Sequence, residues 1–432
     1  MEKNGRMIIY NLFPLLAGKF NQWEGHFKRA SDMGFNWVFL NPIQKPGFSG
    51  SLYSIKDYFS FNPLLVDGES DKTPVEQVRE MIGDAKRNGL NVMIDLVINH
   101  CAFDSELLTE HPEWFQWKGS KVVHPSCIGE GGEKITWGDL AKFNILRTSD
   151  PEGLFDHFFR IISFLADLGV RGFRCDAAYQ IPGGLWSRLI SKARKKYPGI
   201  LFFAETLGCS ADRTRQTAEA GFDYIFNSSK WWDFKAHWLL EQYNLTRDVT
   251  ASVSFPESHD TERLMEELGG NINGLKQRYL FAALFSSGVM MPMGFEFGFR
   301  KKTHVVKTRP EDWEETGTDL TGFIKKVNAI KTEYRIFQEE SPVQILQSGN
   351  PELLILWKAS AVTREETLIV LNKDINNMQH FHSEDLHSFV LSGAALKDIS
   401  PEYPVDFIPE PFNYDLNPGQ GLVYVTKTGK GL

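Results

Sequence analysis

Carboxylates, histidines, an arginine and a tyrosine recur where short apolar runs of this chain end, and these residue types together do acid/base or nucleophilic chemistry. The run Gly172-Phe173-Arg174-Cys175-Asp176 sets Arg174 and Asp176 two positions apart. Side chains alternate along a strand, so both point to one face. An ion pair at the end of a buried strand serves as a structural salt bridge or as part of a site. Comparable clusters close other runs: Asp95-Leu96-Val97-Ile98-Asn99-His100, Ala204-Glu205-Thr206 and Ser258-His259-Asp260, with Tyr53 and Asp57 shortly after Trp37-Val38-Phe39-Leu40. Singly, each has an ordinary explanation: Asp95 as a turn cap, His100 and His259 as core histidines, Glu205 as the partner of a lysine. Three carboxylates from three strands facing one mouth repel unless they ionise differently, and such groupings persist for acid/base or nucleophilic work.

The elements that must position them alternate. Strand-like runs begin at Met7, Trp37, Asn91, Gly172, Ile200, Phe222, Ser252 and Gly288, with helical patterns over Trp23 to Met33, Pro74 to Asn88, Pro151 to Leu168, Leu185 to Lys196, Ala211 to Ala220, Leu275 to Ser286 and Leu320 to Thr332. This predicts eight strand-then-helix units, an α/β chain folded as a (β/α)8 barrel, with chemistry at the C-terminal strand ends, where the polar clusters fall. The stretch between Val97 and Pro151 is too long for an ordinary connection and predicts a small excursion over the barrel mouth. Beyond about Gln338 the runs 353–357, 367–371 and 421–425 read as strands without intervening helices. The expected organisation is a catalytic barrel over 1–337, including an excursion over 100–150, and an antiparallel β-sandwich over 338–432.

Composition excludes several classes of function. The net charge of −8, without a dense basic block beyond Lys301-Lys302, argues against nucleic acid. No run approaches the roughly twenty apolar residues of a membrane span. Cys101, Cys127, Cys175 and Cys209 lack metal-type spacing and do not form a disulfide framework. With no secretory h-region at the start, the expectation is a cytoplasmic protein. Aromatic residues make up 13% of the chain, with 11 Trp, which suits a large core or the flat faces of sugar rings.

In order and spacing, the segments 95–100, 172–176, 203–205 and 258–260 resemble the four signature segments of the alpha-amylase family, glycoside hydrolase family 13. Tyr53 four residues before Asp57, Trp137-Gly138-Asp139-Leu140-Ala141, and the run from Gly288 to Glu296 add to the resemblance, which extends from Met7 to about Thr332. It implies that Asp176 is the nucleophile, Glu205 the general acid/base and Asp260 the third carboxylate, holding sugar hydroxyls in the transition state. It further implies that Arg174 keeps Asp176 ionised, that Tyr53 stacks on the sugar, and that His100 and His259 donate to its hydroxyls. Asp95, Tyr179 and Lys230 complete the expected substrate contacts. Retention at an α-glycosidic bond fits that division, because one carboxylate attacks the anomeric carbon while a protonated partner about 5 Å away serves the leaving oxygen.

Where many members carry a Lys-His pair after the nucleophile, this chain has Tyr179 and Gln180. No cofactor or metal is expected: calcium, held by some members at the position of Asn99, is disfavoured by Gln180 and the short excursion. Partial similarity to maltose-1-phosphate maltosyltransferases lies in His111-Pro112-Glu113-Trp114-Phe115, Asp150-Pro151-Glu152-Gly153-Leu154 and Pro182. The expected function is hydrolysis or transglycosylation of α-1,4-glucans, maltooligosaccharides or small α-glucosides. Alternatives are a glycosyl phosphate donor or a catalytically silent sugar binder; metal-assisted chemistry on the same rim lacks the ligand spacing. Ser228-Ser229-Lys230-Trp231-Trp232-Asp233 reads either as an acceptor-side platform or as indoles buried against the next helix.

Overall fold

A computed structural model of the chain describes residues 6–128 and 134–426. Among these, β1 (Met7–Leu12), β2 (Trp37–Leu40), β3 (Asn91–Leu96), β4 (Gly172–Cys175), β5 (Leu201–Glu205), β6 (Tyr224–Phe226), β7 (Ala251–Ser254) and β8 (Gly288–Pro292) form a closed parallel barrel in sequential order. The ring closes where Met7 pairs with Gly288. Each strand is followed by a helix: α1 (Glu24–Asp32), α2 (Pro74–Arg87), α3 (Pro151–Leu168), α4 (Gly183–Lys196), α5 (Ala211–Ala218), α6 (Trp238–Thr246), α7 (Ile272–Phe285) and α8 (Thr321–Glu333). Helix covers the outside and side chains fill the inside, so the strands read as continuous apolar runs.

Alternation divides those runs between two cores. Met7, Ile9, Trp37, Phe39, Met93 and Phe203 fill the barrel interior. Ile8, Tyr10, Val38, Leu40, Ile94 and Phe202 pack outward into the helical layer. Size alternates as well: a Cβ on Gly172 would stand 2.9 Å from the Trp37 ring, so the indole takes the space the glycine leaves. Helix boundaries follow their capping chemistry. Thr73 and Glu76 form a capping box ahead of Pro74, while Asp150 caps α3, which ends at Gly169 with φ +114°.

Between β3 and α3 the chain builds two-stranded pieces, one pairing His100–Ala102 with Leu140–Lys142. The side chain of Cys127 lies outside the described residues. After β2, where the sequence reads as a Gly/Pro/Ser loop, Gln44–Pro46 pairs antiparallel with Ile55–Phe61 through two register shifts. These irregularities removed the strict alternation by which a strand is recognised.

At the C-terminal end, β9 (Val343–Leu346), β10 (Leu353–Ala359), β11 (Glu366–Asn372), β12 (Gln379–Ser383), β13 (Leu396–Asp398), β14 (Phe412–Leu416) and β15 (Gly421–Thr426) are antiparallel, in the order β9-β10-β11-β15-β13 with β12-β14 apart. Leu353, Ile355 and Trp357 face the second pair, whereas Leu354 and Leu356 join the main core. Buried Lys358 ties β10 to the barrel, and buried Lys331 ties α8 to the residues that end α7. Lys358 Nζ donates to the carbonyls of Leu284 and Phe285, and Lys331 Nζ to those of Ala283, Ser286 and Phe337, at 2.6–3.1 Å. All of these carbonyls except that of Phe337 lie at the end of α7, which carries partial negative charge. Replacing Lys331 by Met strands three buried acceptors, so urea denaturation at pH 7 is expected to show a loss of about 3 kcal/mol; a change below about 0.5 kcal/mol would mean that Lys331 does not hold α8 to the end of α7.

Candidate active site

The barrel brings the expected polar residues together at the C-terminal strand ends. Asp95 lies on β3, Arg174 on β4, Asp176 just beyond it and Glu205 at the end of β5, while His259 and Asp260 follow β7. Register pairs Arg174 with Asp95 across β4 and β3. Its Nη1 donates to Asp95 Oδ1 at 2.9 Å and to Asp176 Oδ1 at 2.8 Å, and Nη2 is 4.0 Å from Asp260 Oδ2. Arg174 is only 5% exposed. One guanidinium thus holds two carboxylates in charge-assisted bonds and neighbours a third.

Tyr53, carried by the turn before Ile55–Phe61, closes this cluster. Its hydroxyl donates to Asp95 Oδ2 at 2.6 Å, accepts from Asn41 Nδ2 at 3.0 Å and lies 2.7 Å from His259 Nε2. The rings of Tyr53 and His259 are nearly parallel, 7° apart with centroids separated by 5.6 Å. His259 Nε2 is also 3.1 Å from Asp260 Oδ2, and His100 Nε2 is 3.1 Å from the Tyr53 carbonyl. Asp95 is fully buried, with its oxygens engaged by Arg174 and Tyr53, which places it beneath the mouth. Burial pushes its carboxyl up to about 7 despite the guanidinium. Asp260, 54% exposed at its side chain, is the most open of the carboxylates.

Glu205 stands apart from the guanidinium. Its oxygens accept the backbone N–H groups of Leu207 at 2.8 Å and Ala177 at 3.1 Å. Burial raises its carboxyl to about 7, with Arg174 opposing the shift and Asp176 and Asp260 adding to it. Ala177 reaches it from a left-handed conformation, φ 42° and ψ 43°, which costs a residue with a Cβ about 1 kcal/mol or more. Carboxyl groups in such unlike surroundings, one beside a guanidinium and one largely desolvated, form the pattern that separates a nucleophile from a proton donor.

Comparison with known proteins finds relatives by sequence and by fold. Residues 5–117 match the glucanotransferase domain of glycogen debranching enzyme. The alpha-1,4-glucan:maltose-1-phosphate maltosyltransferase of Burkholderia pseudomallei is 24% identical over 385 residues, covering 85% of this chain and 33% of that protein. The enzyme of the same name from Rhodospirillum rubrum is 24% identical over 368 residues, 79% of this chain and 52% of that protein. The chain thus spans between a third and about half the length of these relatives. An alpha-amylase from Lactobacillus plantarum superposes with a TM-score of 0.78 at 20% identity, over 98% of this chain and 99% of that one. The chain has the fold of the alpha-amylases.

Within that fold, the remaining expected residues divide. Tyr179 sits half-buried after Asp176, its hydroxyl pushed up to about 12 by burial and by Glu205. Gln180 Nε2 is 3.5 Å from that hydroxyl. Lys230 is buried and its ammonium pairs with Glu267, so its charge is engaged away from the carboxylates. Trp232 is buried against Phe281, whereas Trp231 is 45% exposed and lies beside Gly208, in the loop that follows Glu205. Asn99 Oδ1 is buried without a partner, and among the described residues no group of three or more His, Cys, Asp or Glu could hold a metal ion. Sequence reasoning missed Asn41, which directly follows a strand and carried that positional signal, and Ala177, whose conformation no residue type announces.

Removing the shared guanidinium leaves buried carboxylates uncompensated. Arg174→Gln is expected to lower stability by about 3–5 kcal/mol in urea denaturation at pH 7, and adding Asp95→Asn to restore part of it. Additive losses in the double variant would contradict the shared-cation geometry.

Proposed function

We propose that the chain is a retaining enzyme of α-glucans, acting on α-1,4-glucans, maltooligosaccharides or small α-glucosides through a covalent glycosyl-Asp176 intermediate. The observation that carries this reading is the contrast between Asp176, 2.8 Å from the Arg174 guanidinium, and Glu205, raised to about 7 by burial. In the first step an Asp176 oxygen forms a bond to the anomeric carbon, the glycosidic bond breaks with its electron pair going to the leaving oxygen, and Glu205 gives that oxygen its proton. In the second step Glu205, now ionised, takes a proton from water or a sugar hydroxyl, whose oxygen displaces Asp176. Asp260, with His259 beside it, is placed to hold hydroxyls of the reacting sugar as positive charge develops, a contact that counts where it strengthens in the transition state. Tyr53 offers its ring to that sugar, and His100 contributes from the neighbouring turn. Tyr179 and Lys230 belong to the same reading as contacts toward the leaving side. For Lys230 that requires its ammonium to exchange Glu267 for substrate.

Transfer to a sugar, including from a glycosyl phosphate, is the second reading. Trp231 favours it, because a half-exposed indole beside the loop of the proton donor can hold an acceptor ring where water would otherwise attack. The names of the maltosyltransferase relatives agree with it. Product analysis with maltooligosaccharides, with and without inorganic phosphate, separates the outcomes. Chains longer than the substrate report transfer, glucose or maltose alone reports hydrolysis, and products that need phosphate report the phosphorylated donor.

Since Glu205 must carry its proton in the first step, kcat/KM is expected to fall as pH rises through about 7. Glu205→Gln should lose about 10²–10⁴-fold in rate and that limb of the profile. The same residue gives a stability signature. A raised carboxyl binds its proton more tightly folded than unfolded, so wild-type stability declines from the ordinary carboxyl range up to about 7, and Glu205→Gln should gain in Tm relative to wild type between pH 5 and pH 8. Wild type without turnover on any α-glucoside or glycosyl phosphate would end the enzyme reading.

A further inference from the structure

Of Asp176, Glu205 and Asp260, the last stands farthest from its strand. Asp176 directly follows β4 and Glu205 ends β5, whereas β7 stops at Ser254 and Asp260 lies in the turn beyond it. Its side chain meets His259 Nε2 at 3.1 Å and, at 4.0 Å, Arg174 Nη2, and more than half of it is open to solvent. Where Asp260 points therefore depends on where that turn is held.

Short bonds within the turn give it its shape. The Ser258 N–H donates to Thr261 Oγ1 at 3.0 Å, and the Asp260 N–H to Ser258 Oγ at 3.3 Å. Its placement against the barrel is decided at its base. Glu257 and Arg263, six residues apart on either side of His259 and Asp260, are 1% and 3% exposed, and Arg263 Nη1 donates to Glu257 Oε1 at 2.7 Å. Glu257 Oε2 accepts the N–H of Leu264, which opens the short helix Leu264–Glu267, at 2.5 Å. The rest of the guanidinium reaches out of the turn: Nη2 donates to the carbonyl of Met293, just past β8, at 2.9 Å, and Nε to that of Lys301 at 3.3 Å. One buried pair thus closes the turn and fastens it to the segment after β8.

We propose that Glu257 and Arg263 are positioning residues for the reaction, acting through the turn that presents His259 and Asp260 to the reacting sugar. The inference rests on the proposed role of Asp260. Desolvation of a buried ion pair largely cancels its attraction, so what this pair adds is geometry more than stability. A planar guanidinium suits that task, because its donors diverge in a fixed fork and here engage three acceptors from different parts of the chain. The reaction is sensitive to such placement: a displacement of about 1 Å can cost about 10²-fold in rate.

The test is a double-mutant cycle on an α-glucosyl fluoride, whose good leaving group keeps slow variants measurable. Arg263→Met, Asp260→Asn and the double variant are compared with wild type, each well below its Tm so that the folded fraction is the same. Arg263→Met is expected to lose about 10²-fold in kcat, with KM changed by less than about threefold. On the Asp260→Asn background the same substitution should cost less than about threefold, since the group it acts through is gone. A merely structural pair would lower Tm and leave kcat alone, or would cost the same factor in both backgrounds, and either result overturns the inference. Should Arg263→Met fail to fold, Glu257→Gln, which keeps an acceptor for the Leu264 N–H, is read in the same way. Undiminished turnover in Asp260→Asn would remove the proposed role of Asp260 and this inference with it, whereas an impaired Asp260→Asn beside a fully active Arg263→Met overturns the inference alone.

Discussion

A single buried guanidinium sets the terms for the rest of the structure. Arg174 bonds Asp95 and Asp176 and stands 4.0 Å from Asp260, almost wholly removed from water. A charge in that position is tolerable only with opposite charge in good geometry around it. The barrel provides the geometry, since β4 meets β3 in the register that sets Arg174 beside Asp95. A slip of one residue would turn Arg174 into the helical layer, where Phe173 now packs. Small and large residues alternating inside the barrel, such as Gly172 under Trp37, hold that register.

From this arrangement follows the division of labour among the carboxyl groups. Asp95 takes the buried side of the guanidinium and orients Tyr53, leaving Asp176 on the side of the mouth. Glu205 gains less from the cation than burial costs it, and its two backbone donors fix where its oxygens lie. One of those donors depends on Ala177 in an unfavourable backbone conformation immediately after Asp176. The turn that follows Asp176 therefore ties Asp176 and Glu205 together through the main chain.

Much of this was legible in the sequence. The eight apolar runs and their polar ends gave the barrel and its rim, because a parallel sheet buried on both faces leaves an unbroken apolar signature. The spacing of Arg174 and Asp176 placed them on one face, and the structure joins them at 2.8 Å. What stayed hidden depends on partners distant in sequence or on conformation. Lys230 reads as a surface or substrate charge until the fold brings Glu267, 37 residues on, to its ammonium. Trp231 and Trp232 are identical in type and adjacent, and only the packing of Phe281 decides which one is buried. The paired segments after β2 escaped because their register shifts break the alternation. His157 lies on the apolar side of α3 and looks like any core histidine; that its buried Nε2 lacks a partner shows only in the fold.

The central claim is that Asp176 becomes covalently glycosylated while Glu205 handles the proton. An activated α-glucosyl fluoride needs no proton on its leaving group, so the Glu205→Gln variant can form the intermediate with it but lacks the base that clears it. Mass spectrometry of that mixture is expected to show the protein heavier by one glucosyl residue, with the added mass on the peptide that contains Asp176. Fluoride release without an adduct, or an adduct on any other residue, would contradict the account.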